Sequence, residues 1–262
     1  MNIHKTTRGF AFIEILLVIV VISAVVGVGL FVVNKKDSAD TKSNNSKAVT
    51  SKESESAEAR IKHLGVNLDY YDEETNKAGD FEFTKQKIEF SRLFFEYGFT
   101  VPANSVGPEK KNPQPTFILP LGSKVYSLVD GEVFDVPKLY SNDYSVQVQG
   151  ENSDLIFETE HVINVLVKKG DKVKAGDVIA EVSDYDAKNY AGLGLVEIGI
   201  LKGGNPPSHV CPFDYLDASI KDETLKKISA LQKSWEEYLG DDSIYNEDVY
   251  MPGCVISDSI EG

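Results

Sequence analysis

The stretch Val165–Ile179, with the sequence VLVKKGDKVKAGDVI, decides the fold of this chain. Its apolar residues come in short runs around Gly170 and Gly176, and glycine at such points can adopt the positive φ that tight turns between strands require. A second stretch, Pro120–Val133 (PLGSKVYSLVDGEV), has the same character, with Gly131 expected in the same role. Both stretches predict short strands joined by tight turns.

Similar runs recur about every ten residues between 117 and 200, without a helical period. This spacing predicts a mainly β domain, an antiparallel β-sandwich or flattened barrel. The predicted strands are Lys124–Leu128, Glu132–Val136, Ser145–Gln149, Leu155–Glu158, Val162–Val167, Val178–Val182 and Leu195–Ile200.

The rest of the chain divides around this domain. Residues 35–63 are rich in polar residues and predict a disordered tether, because they cannot bury enough apolar surface to offset the entropy of ordering. We expect an accessory β segment and connector at 64–111, the main β domain at 112–217, and a C-terminal amphipathic helix and tail at 218–262. One face of that helix carries Leu225, Ile228, Leu231, Trp235 and Leu239, and Gly240 is the expected stop.

The N-terminus carries a long apolar run that predicts a transmembrane helix at 10–34. As a helix it would be about 36 Å long, enough to cross a hydrocarbon core of about 30 Å. Glu14 near its start is unusual, because a carboxylate in lipid is costly. A plain uncleaved signal anchor is one interpretation of this segment.

The segment Arg8–Glu14 (RGFAFIE) resembles the type IV prepilin processing signal. The resemblance implies a leader at 1–9, cleavage after Gly9 by a prepilin peptidase, methylation of Phe10, and Glu14 at mature position five. It also implies a single-pass protein anchored in the lipid bilayer through 10–34, with a cytoplasmic N-terminus and an extracytoplasmic main domain.

The two glycine-containing stretches, with His161 ahead of the Gly170 turn, resemble the β core of lysostaphin-type (LytM, duplicated hybrid motif) zinc endopeptidases over roughly residues 112–216. Val165–Ile179 is also similar to biotinyl and lipoyl carrier domains, but the comparable segment Asp154–Glu160 lacks their acceptor lysine. The peptidase resemblance therefore covers more of the chain.

In that peptidase family, an H-x-x-x-D motif and an H-x-H motif hold a zinc ion that activates a water. The resemblance places these positions and a further catalytic histidine on Asn112, Thr116, Leu193, Leu195 and His161. Leucine has no lone pair, and Asn and Thr are poor zinc ligands. The resemblance thus implies a degenerate, catalytically inactive domain without a metal cofactor.

The remaining candidate ligands are few. The chain has four histidines, and His161, His209 and Cys211 are the weak candidates for a different metal site. Cys211 and Cys254 are the two cysteines; they form a disulfide or remain two unpaired buried thiols.

The formal net charge of −14 disfavours nucleic acid as a partner. The leading hypothesis is a membrane-anchored binding or regulatory module of the cell envelope, acting on cell-wall peptide or another envelope protein. The alternatives are a minor pilin or pseudopilin-like filament component, and a zinc metallopeptidase that acts on peptidoglycan through an atypical site.

Overall fold

The computed structural model describes residues 58–69, 92–103, 108–188 and 192–261. The predicted leader, membrane helix and most of the tether, with Gly9, Phe10 and Glu14, lie outside these residues. Within the described ranges, no helix has the length and apolar character needed to span a membrane.

The described chain is built mainly from short strands. They are β1 (Phe94–Phe95), β2 (Thr100–Val101), β3 (Lys110–Lys111), β4 (Thr116–Leu119), β5 (Lys124–Tyr126), β6 (Gly131–Asp135), β7 (Tyr144–Gly150), β8 (Ile156–Ile163), β9 (Lys172–Val173), β10 (Val178–Val182), β11 (Gly194–Gly204), β12 (Pro207–His209) and β13 (Ile260–Glu261). A 3-10 helix at Pro212–Tyr215 and α1 (Lys221–Leu239) lie between β12 and β13.

One large antiparallel sheet organises these strands in the order β1-β4-β11-β8-β7-β6-β9. Strand β10 pairs with β5 and β8, β12 pairs with β11 and β13, and β2 and β3 form a separate hairpin. This arrangement confirms the prediction of a mainly β, antiparallel architecture. The longest strands, β8 and β11, lie side by side at its centre.

Strand β8 differs from the prediction of two separate strands at Leu155–Glu158 and Val162–Val167. It runs unbroken from Ile156 to Ile163, and residues 164–167 lie outside any strand. The prediction left residues 159–161 outside both strands. In the structure His161 has φ 58°, and the pairing with β7 shifts there, so a bulge carries the strand past them.

The turn glycines have two different roles. Gly170 and Gly176 have φ of 88° and 87°, as predicted. Gly131 does not have a positive φ, so its expected role was wrong. It is needed for a close approach of strands, because a Cβ at this position would lie 2.1 Å from the backbone oxygen of Gln149 in β7.

We expect Gly131→Ala to lower the free energy of unfolding by about 2 kcal/mol, since the new methyl group forces β6 away from β7. Urea denaturation measures this loss. Gly203→Ala is the matched control, because a Cβ there meets nothing within 4 Å. Equal stability of the two variants would contradict the close-approach explanation.

The folded body begins earlier than the predicted boundary at residue 64. Ile61 is fully buried, its N–H donates to the Tyr215 oxygen at 2.8 Å, and its oxygen accepts from Asp217 N–H at 2.8 Å. Because these contacts reach residues near the C-terminus, nothing in the local sequence indicates them. Within the predicted accessory segment, the described strand β1 pairs with β4 and so belongs to the main sheet.

The C-terminal helix agrees with its predicted stop and with most of its predicted face, but Leu239 at its end is exposed. Ile228, Leu231 and Trp235 are buried, and Gly240 has the left-handed φ of 70° just after the helix. The tail beyond it is packed rather than loose, because Tyr245 and Cys254 are buried.

Candidate functional site

Three of the five predicted family positions meet at the centre of the sheet. Thr116 in β4 pairs with Glu197 in β11, and Glu197 pairs with Glu160 in β8. His161 follows Glu160, and its Nε2 lies 4.0 Å from Glu197 Oε2. Leu195 lies two residues before Glu197, and side chains two apart in a strand share a face. Glu197 is therefore the residue around which these positions gather.

The donor groups at the first two positions are engaged by backbone oxygens, whereas Asn112 Oδ1 has no partner among the described residues. Asn112 Nδ2 donates to the oxygens of Glu96 at 3.1 Å and Gln114 at 2.7 Å. The Thr116 hydroxyl donates to the Gln114 oxygen at 3.1 Å.

The leucines at the other two positions belong to the apolar core. Leu195 is fully buried there, and Leu193 packs against it. Hydrocarbon side chains offer no electron pair to a metal, so zinc bound in the family's manner does not fit these residues. Among the described residues, no group of three His, Cys, Asp or Glu is placed to hold a metal ion.

His161 is buried and tightly oriented. Its Nδ1 lies 2.9 Å from Asp143 Oδ2, and the ring of Tyr185 stacks on it at 4.0 Å with an interplanar angle of 7°. The Ser183 hydroxyl donates to the same Asp143 oxygen at 2.7 Å. Since an ionised carboxylate only accepts hydrogen bonds, Nδ1 is the donor, and Nε2 faces Glu197.

The partners of Asp143 keep it ionised. Burial opposes its ionisation, but the hydrogen bonds and charge from His161, with those from Ser141 and Ser183, outweigh burial and lower its pKa. The Asp143–His161 pair is therefore a fixed element that orients the imidazole.

Glu197 has the least satisfied carboxylate of the site. It is fully buried, and neither of its oxygens has a hydrogen-bond partner among the described residues. Burial raises its pKa, while the charges of His161 and Lys110 act in the opposite direction. Glu197 thus keeps its proton to a higher pH than an ordinary carboxyl group, or needs a cation when it is ionised.

Two further carboxylates share this face of the sheet. Glu160 lies directly opposite Glu197, and Glu158 is two residues before it in β8. Burial, and then the charges of Glu158 and Glu197, raise the pKa of Glu160 well above its usual value. Glu160 is half-buried, so this cluster reaches solvent at that residue.

His209 joins the cluster through Glu158. Its Nε2 lies 3.0 Å from Glu158 Oε1, which also accepts from Gln114 Nε2 at 3.0 Å. His209 therefore pairs with a buried carboxylate. It does not form, together with Cys211, the metal site that the sequence suggested. Cys211 forms a disulfide with Cys254, the first of the two alternatives that the sequence left open, and a disulfide sulfur is no thiolate ligand.

Sequence reasoning missed Glu158, Glu160, Glu197 and Asp143. The chain has 41 acidic residues, so no single one stands out by type. The available signal was the position of the glutamates in the sequence. They interrupt the runs IFETEHVI and LVEIGI, which are otherwise mostly apolar, so their carboxylates are not expected to point to solvent.

Several solved structures are similar to part of this chain. The catalytic domain of lysostaphin from Staphylococcus simulans is 15% identical over 46% of this chain and 88% of that one, with a TM-score of 0.38. LytU is 22% identical over 43% of this chain and 74% of that one, with a TM-score of 0.36.

The chain spans less than half of a longer lysostaphin structure, 45% of its length, at 18% identity and a TM-score of 0.35. No curated protein matches the chain closely enough to serve as a relative. Residues 115–205 match the family model of Peptidase family M23. The centre of this chain is therefore an M23 peptidase-like domain.

Proposed function

We propose that this chain is a membrane-anchored envelope protein whose M23-like domain binds its partner without hydrolysing it. The proposal is supported by the family resemblance, which assigns the positions of the family's second metal-binding motif to Leu193 and Leu195. Both are hydrocarbon side chains that cannot bind a metal ion. Asn112 and Thr116 complete the set, with their donor groups committed to backbone oxygens.

Cell-wall peptide is the partner that the family match favours, and another envelope protein is the second candidate. The sheet face that carries the metal in active relatives remains polar in this chain, with Gln114, Glu158 and Glu197 buried in it. Buried polar groups without a catalytic use are costly to keep, so a binding role gives them a purpose.

The extracytoplasmic location rests on the leader resemblance and gains support from the disulfide between Cys211 and Cys254. Disulfides persist in oxidising compartments outside the cytoplasm. In this proposal, prepilin peptidase cuts after Gly9, and residues 10–34 hold the mature chain in the bilayer.

Sedimentation with purified peptidoglycan sacculi tests the binding role. We expect the full-length chain in mild detergent to pellet with sacculi and to release no soluble fragments, with or without added zinc. Heat-unfolded chain is the control for non-specific adhesion. Folded chain that stays in the supernatant would exclude wall binding, and fragments released only with zinc would exclude an inactive domain.

Mass spectrometry of the membrane-extracted protein tests the processing. We expect a mature chain that begins at methylated Phe10, because a prepilin-type junction places the cut after Gly9. An N-terminus at Met1 would leave the plain anchor as the correct interpretation.

A minor pilin or pseudopilin role is the second candidate, favoured by the match at Arg8–Glu14. Cysteine cross-linking along residues 10–34 distinguishes it, since only a filament component forms ladders of cross-linked subunits through that segment.

A further inference from the structure

The polar face of the sheet has an excess of hydrogen-bond acceptors. Buried atoms there without a hydrogen-bond partner among the described residues include Asn112 Oδ1, Gln114 Oε1, Glu197 Oε1, Glu197 Oε2 and His209 Nδ1. Amide oxygens and the oxygens of an ionised carboxylate only accept hydrogen bonds. The Ser145 hydroxyl, which acts on Glu160, can donate, but Glu197 has no partner, so an ionised Glu197 lacks a donor on both of its oxygens.

These atoms belong to one connected cluster. Glu158 Oε1 accepts from Gln114 Nε2 and lies 3.0 Å from His209 Nε2. Gln114 precedes Thr116 by two residues, and Thr116 is the cross-strand neighbour of Glu197. We call the group formed by Gln114, Glu158, Glu160, Glu197 and His209 the acid chamber.

The acid chamber also lacks positive charge. It holds three carboxyl groups, and the cationic or titratable groups that face them are His161, His209 and Lys110. His161 stands 4.0 Å from Glu197 with its other nitrogen bound to Asp143. Lys110, half-buried on the β2–β3 hairpin, acts on Glu197 from beyond ion-pair distance. None of them places a donor on a Glu197 oxygen.

We infer that the acid chamber binds the ammonium group of a protonated primary amine. An alkylammonium group brings three N–H donors and one positive charge, which are the two properties that the chamber lacks. Glu160 is the half-buried member of the cluster, and Glu197 is fully buried. The inference rests on the proposed binding role and names its chemistry, an amine that is either free or carried by a peptide.

Calorimetric titration of the full-length chain in detergent at about pH 8 tests this inference with methylammonium as the probe. We expect saturable binding of methylammonium and none of tetramethylammonium, which has the same charge but no N–H donor. Glu197→Gln should weaken methylammonium binding at least tenfold. Glu132→Gln, a surface carboxylate on β6 that pairs with Lys172, should leave it unchanged.

Equal responses to the two cations, or no response to either, would overturn the inference, since water alone would then fill the chamber. Unchanged affinity of Glu197→Gln would overturn it as well. Should that variant fail to fold by circular dichroism, Glu160→Gln at the half-buried member of the cluster replaces it, with the same expected loss.

Two further experiments identify the source of the amine and distinguish failure of the ammonium site from failure of the proposed function. A lysine-containing peptide that competes with methylammonium, while its Nε-acetylated form does not, identifies a peptide amine; competition by neither identifies a free amine. Sacculus binding that survives Glu197→Gln in a chain without methylammonium binding would support the proposed function and refute the ammonium site. Methylammonium binding without sacculus binding would support the ammonium site and refute the proposed function.

Discussion

The double substitution Cys211→Ser and Cys254→Ser is expected to lower the free energy of unfolding by about 4 kcal/mol, because the disulfide closes a long loop and restricts the unfolded chain. The two cysteines are separated by 43 residues, and both are buried. Urea denaturation of the oxidised wild type and the double variant gives the difference.

The loss should extend to the acid chamber. Cys211 follows β12, the strand that brings His209 to Glu158, and Cys254 is bridged to Tyr97. The Tyr97 hydroxyl donates in turn to the His209 oxygen at 3.0 Å. Without the cross-link, hydrogen exchange at β12 should therefore rise more than at β7, which pairs with β6 and β8.

Reduction of the wild type with dithiothreitol is the control, and it should reproduce the loss seen in the double variant. A difference below about 1 kcal/mol, within the range of an ordinary surface change, would mean that the disulfide contributes little to the fold.

Local features of this chain could be predicted from the sequence, since they depend on residues close to one another. Strand β10 occupies Val178–Val182 as predicted, and the turns at Gly170 and Gly176 have the expected positive φ. Alternating apolar residues and turn glycines specify such elements without help from the rest of the fold.

Features that depend on distant parts of the chain could not be predicted. Asp143 lies in the segment before β7 and meets His161 only because β7 and β8 pair. Likewise Ile61 belongs to the core through Tyr215 and Asp217, which have no sequence relation to it. The expectation of degenerate ligand positions rests on the family resemblance, whereas the placing of Glu160 opposite Glu197 needed the register of β8 and β11.

The contribution of Glu197 to the stability of this protein should fall as the pH rises. Burial gives Glu197 a higher pKa in the folded chain than in the unfolded one. Below the ordinary pKa of glutamate, both states hold the proton and the folded state loses nothing. Above it, the unfolded chain ionises while the folded chain retains its proton, so the free energy of unfolding declines until the folded pKa is passed.

We therefore expect Glu197→Gln to match the wild type at about pH 4 and to exceed its free energy of unfolding by about 3 kcal/mol at about pH 8, because an amide removes the unpaired buried charge. Urea denaturation across this range, without added amine, measures the difference. Glu181→Gln is the opposite control: its pKa is lowered by hydrogen bonds from Lys124 and Asn164, so its stabilising contribution is present at neutral pH and is lost on acidification.

A difference between Glu197→Gln and the wild type that stays constant with pH would show that Glu197 does not titrate between the two states. Added methylammonium should narrow the gap at the higher pH, since an ammonium group bound to the ionised Glu197 stabilises only the wild-type folded state. The same carboxylate thus connects the pH dependence of folding to the ligand that we infer. At neutral pH, Glu197 lowers the free energy of unfolding of the wild type, and only a bound cationic donor raises it again.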